Sequence, residues 1–73
     1  MTLDLLKENE KGIIESISNE SLAIQLLAMG FILGEEVKVE RIAPLGDPMI
    51  IASGVNYISI RKLDAQQIEI KVV

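Results

Sequence analysis

Eleven of the 73 residues are Asp or Glu, and none is His or Cys. Carboxylates are therefore the main reactive groups available, and their spacing does not let them cooperate. Glu35 and Glu36 are neighbours, so on a strand they point to opposite faces and cannot form an acid–base pair. Glu8 and Glu10 fall in a turn-like stretch. No nucleophile–base constellation and no Gly-rich phosphate loop is present, and the sequence reads as that of a non-enzyme. Carboxylates alone suit hard cations and select poorly for iron or zinc, so no metal site and no cofactor is expected. The seven Lys and Arg are scattered and outweighed, leaving a net charge of −4 at pH 7. Nucleic-acid binding rests on basic side chains neutralising phosphates, and this balance argues against it.

The most constrained residues lie in two bends instead. Gly30 and Gly34 bracket Phe31, Ile32 and Leu33, which reads as a helix stop followed by a tight entry into a strand. Phe31 or Ile32 is the residue this bend would offer to a partner, if exposed. The second bend is Ala43-Pro44-Leu45-Gly46-Asp47-Pro48. Pro44 fixes its own backbone angle, Pro48 pushes Asp47 toward an extended conformation, and Gly46 permits a positive φ between them. Such a loop is stiff. It is either a rigid corner with Asp47 bonded to nearby backbone, or a recognition loop that presents Leu45 with Gly46 and Asp47.

The elements that position these bends follow from periodicity. Thr2–Glu10 allows a helical turn with Thr2 as its cap and Leu3 and Leu6 on one side. Asn9 tolerates a left-handed backbone and marks the turn into a strand over Lys11–Ser18. Asn19–Gly30 is the clearest helix: Asn19 is a good N-cap, Glu20 suits the first turn, and Gly30 suits the position just past the end. Leu22, Leu26 and Met29 share its inward face, with Ile24 and Ala28 opposite. After Gly34 the period changes to two, with Val37 and Val39 alternating with Lys38 and Glu40. Met49–Ser53, Asn56–Lys62 and Ile68–Val73 follow as strands. Gly54 signals a hairpin, and Leu63–Gln67 reads as a turn or one helical turn. Five short strands and one helix lack the crossovers of a parallel sheet, which leaves a small, bent antiparallel barrel.

A chain this short forms one domain, expected here over residues 1–73, and buries only about 60% of its unfolded surface. Half of its residues are apolar but almost none are aromatic, so Ile, Leu and Val must build the core. The acidic start lacks the features of a signal peptide, and no apolar run approaches the roughly 20 residues of a spanning helix. With no cysteine, the reading is a cytoplasmic protein without membrane insertion.

The runs "LLAMGFILGEEVKVERIAPLGDPMII" and "ISIRKLDAQQI" make the chain resemble the FeoA family, small proteins of bacterial ferrous iron transport. The resemblance extends from Leu3 to Ile70. It implies an SH3-like barrel with an inserted helix, and a role as accessory to the membrane transporter FeoB through the transporter's cytoplasmic GTPase region. It also brings the family's association with transition metal ions. The same fold occurs as a domain of iron-dependent repressors, so a regulator domain, or a nucleic-acid-binding small barrel, is the alternative. Met1 immediately precedes the pattern, which favours a free-standing protein. The sequence departs from the family pattern at Asn9, Leu33 and Gly54, and at helix positions Ile24, Gln25 and Ala28, where charged residues are common. A more apolar helix contact is implied.

Between Ser21 and Gly34 no residue is charged, which is more apolar surface than a small core can cover. The candidate partner-binding residues are therefore Ile24, Leu27, Ala28 and Phe31, joined by Leu45, Gly46 and Asp47 if the two bends build one surface. The occupant is either the transporter's cytoplasmic region or a second copy of the chain, giving a homo-oligomer.

Overall fold

The computed structural model describes residues 1–73. Five strands, β1 (Lys11–Ile17), β2 (Glu36–Ile42), β3 (Met49–Ser53), β4 (Asn56–Ile60) and β5 (Ile68–Val72), form one antiparallel sheet in the order β4-β3-β2-β1-β5. Helix α1 (Glu20–Ala28) lies between β1 and β2, and the four-residue α2 (Lys62–Ala65) between β4 and β5. The expected five-stranded, SH3-like arrangement is present, but the barrel is open, because β4 and β5 do not pair. The register shifts within β1–β5 and within β2–β3, as expected of strongly bent strands, whereas β3–β4 runs without a break.

The period-two pattern translates directly into burial. Val37 and Val39, Met49 and Ile51, and Ile68 and Ile70 are buried, while their neighbours are not. Ile14, Ile60, Leu22 and Leu26 join them, and Leu3 and Leu6 close the core from below. The N-terminal turn is a short 3-10 turn over Leu3–Leu5, and Thr2 does not cap it. Its hydroxyl donates to the Asp4 carboxylate instead. Asn9 adopts the left-handed backbone expected of it, with φ of 71°.

Helix α1 begins as its sequence requires, with the Asn19 side chain accepting from the Leu22 N–H at 2.9 Å. Its end differs from the expected inward face. Met29 is 43% exposed, and Phe31 fills the position instead, at 1%. The cause is the way the helix stops. The Gly30 N–H donates to the Leu27 carbonyl, and the Phe31 N–H donates back to the Leu26 carbonyl at 2.8 Å. This is the paired bonding of a Schellman motif, in which the residue after the glycine packs against the helix's last turn. Gly30 carries φ of 87°, so the backbone favours glycine, and a Cβ there would lie 2.3 Å from the amide nitrogen of the exposed Asn56 side chain, which would have to swing aside.

Candidate functional site

The bend after α1 leaves a wholly apolar groove. Ile17 at the end of β1, Ala23 and Leu27 on α1, and Phe31, Ile32 and Leu33 enclose about 400 Å³. Phe31 is its floor, too deeply buried to offer a contact of its own; as a candidate partner-binding residue it is corrected to a core residue. Leu27 and Leu33 form the rim at 60% exposure each, and Ile24 and Ala28 lie exposed on the same helix. No basic residue occurs between Lys11 and Lys38, whereas Glu15, Glu20, Glu35 and Glu36 do.

The second bend is elsewhere. Gly30 approaches Asn56 at the start of β4, while Pro48 leads into Met49, which pairs with Ile60 at the end of β4. The length of β4, roughly 13 Å at about 3.3 Å per residue, separates them. The expectation of a single surface built by both bends is thus corrected: they occupy opposite ends of the sheet. Leu45 is 97% exposed at the tip of its loop and plugs no corner. Backbone bonds from Gly46 to the Ala43 carbonyl and from Ala43 to the Pro48 carbonyl hold the loop. Asp47 accepts from the Lys62 N–H at 2.9 Å, satisfying one of the free amides at the start of α2.

The carboxylates serve the backbone in the same way. Glu8 accepts from the Ile42 N–H at 2.8 Å and Glu10 from the Lys7 N–H at 2.7 Å. No three of them converge on a point where a cation would sit. One signal in the sequence marks Phe31 as core: an apolar residue directly after a helix-ending glycine. Nothing local reveals that Asp47 reaches α2, because the bond spans fifteen residues.

A five-stranded, SH3-like antiparallel sheet with a helix between its first two strands and an apolar groove beside that helix defines a small SH3-like domain. Comparison with known proteins places it. The FeoA domain model matches residues 1–72, and the chain belongs to the FeoA family. Its structure is similar to that of the FeoA protein from Chlorobium tepidum, with 27% identity and a TM-score of 0.93 over 100% of this chain and 70% of that one. Iron(II) transport protein A from Clostridium thermocellum is 36% identical, with a TM-score of 0.90, and this chain spans 46% of its length. FeoA of Stenotrophomonas maltophilia, solved with zinc and described as an SH3 domain protein and a candidate ferrous iron transport activating factor, is 28% identical. Its TM-score is 0.81, over 97% of this chain and 89% of that one. No curated protein matches the chain by sequence.

Proposed function

We propose that residues 1–73 act as one FeoA domain, a non-enzymatic accessory of bacterial ferrous iron uptake that binds the cytoplasmic GTPase region of a FeoB-type transporter. The observation that carries this reading is the groove, lined by six apolar residues and no polar one. Exposed apolar clefts of this kind are what interaction sites are made from. Ile24, Leu27 and Ala28 provide the helix side of the contact, over the Phe31 floor. Leu45, Gly46 and Asp47 form a separate face at the other end of the sheet. The reading places the protein in the cytoplasm and assigns it no metal or cofactor, since its side-chain donors are carboxylates. No helix is long and apolar enough to cross a membrane.

Calorimetric titration of the transporter's GTPase region with the chain and its variants tests this. Leu27→Asp and Leu33→Asp should weaken binding at least tenfold while the variants melt near the parent temperature, because both side chains are exposed at the rim. Leu45→Asp should bind as the parent does. Unchanged binding by both groove variants, or no binding by the parent chain, overturns the proposal.

A further inference from the structure

The two edges of the sheet are finished differently. Along the outer side of β5 runs the start of the chain: Thr2 bridges to Glu69, and the Ile70 N–H donates to the Met1 carbonyl at 2.8 Å. β4 has no such cover. Ser53 and Asn56 flank a two-residue turn and so form a hydrogen-bonded pair, as do Ile51 with Ile58 and Met49 with Ile60. The N–H and C=O groups of Tyr57 and Ser59 consequently point away from β3. No backbone group of β4 bonds to anything beyond its own hairpin.

Natural sheet edges carry a lysine, a proline or a bulge that discourages pairing. The "NYISI" of β4 has no charge and no proline, and its register to β3 is unbroken. β5, by contrast, carries Glu69 and Lys71 as well as its covering segment. Tyr57 and Ser59 are exposed on the outer face of β4, and Ile58 packs against the core while remaining only half-buried at the rim.

We infer that β4 is the contact by which two copies of this chain pair, antiparallel, about a two-fold axis at Ile58. In that register Tyr57 of each copy faces Ser59 of the other, and each pair exchanges both backbone hydrogen bonds. Ile58 meets its own counterpart and completes its burial. Asn56 faces Ile60, and no residue of β4 is charged, so no like charges are opposed along the paired strands. The covered edge of β5 decides the stoichiometry. Head-to-tail pairing of β4 with β5 would generate an open filament, but β5 is closed, and pairing of two free edges stops at a dimer. The inference does not rest on the transporter reading, since the groove lies beside α1 and is not part of β4.

The seam is short, which makes this a weak, concentration-dependent dimer. Sedimentation equilibrium and residue-resolved amide exchange, from about 20 µM to about 1 mM, cover the range expected of so small an interface. The mass should rise from 8.0 kDa toward twice that value. The Tyr57 and Ser59 amides should exchange at least threefold more slowly at the higher concentration, while Ile58 and Ile60 are protected throughout. Ser59→Pro removes an N–H that β3 does not use, and Tyr57→Lys adds a charge to the edge; both should be monomeric. A parent chain that stays monomeric, a dimer with fast-exchanging Tyr57 and Ser59 amides, or a dimer that survives in Tyr57→Lys overturns the inference. Tyr57→Lys alone decides if Ser59→Pro fails to fold.

Discussion

The bends at Gly30 and at Gly46 use the same device, a glycine with φ of 87° in a stiff apolar stretch, and achieve opposite results. At the first, the chain turns inward: Phe31 follows the glycine into the core, and Asn56 packs against the space that a side chain would need. At the second, the chain turns outward. Nothing lies within 4 Å of where a Gly46 Cβ would be, and Leu45 stands almost fully in solvent. The first bend is rigid because the core holds it, the second because its own backbone bonds do. A glycine signals that the chain turns left-handed; the residues around it decide whether that turn carries the fold or decorates it.

Substitutions sharpen the contrast. Phe31→Ala should be the most damaging change, costing about 3–5 kcal/mol. That approaches the whole stability of a domain this size, on the order of 5 kcal/mol, so urea melts followed by circular dichroism should show a largely unfolded chain. Gly30→Ala should cost about 1–2 kcal/mol, since left-handed strain adds to displacement of the Asn56 side chain. Gly46→Ala carries the strain without the collision and should cost about 1 kcal/mol in the same melts. Equal losses at the two glycines would break the comparison, because packing would then contribute nothing at the first bend. Asp47→Ala removes the bond to Lys62 and should cost about 0.5–1 kcal/mol, with faster exchange of the Lys62 amide as its local signature. Leu45→Ala should change stability by less than about 0.5 kcal/mol.

The sequence was most informative where structure is local. Asn19 and Gly30 delimit α1 because caps act within a few residues, and alternation reveals each strand because pleating has a fixed period. Met29 shows where this reading overreaches. It continues the apolar spacing of Leu22 and Leu26, but the helix has already stopped at that point, and the Schellman turn hands its place to Phe31. The position of the Leu45 loop was hidden for a different reason. Two bends close in sequence were set at opposite ends of β4 by strand pairing, which no local pattern encodes. The open seam between β4 and β5 belongs to the same class of property. So does the groove, whose wall at Ile17 comes from a different element than its rim at Leu33.

The pairing of β5 also bears on how the chain is made. β5 bonds to β1 on one side and to the Met1–Thr2 segment on the other, so the final strand of this sequence completes contacts that begin at its first residues. While β1 to β4 emerge from a ribosome, β1 lacks one of its two neighbours, and the core that holds Leu3 lacks Ile68 and Ile70. Contacts of such long sequence separation form late and slowly. Folding of these residues therefore waits for synthesis of β5, and the native topology is reached only once that strand has emerged.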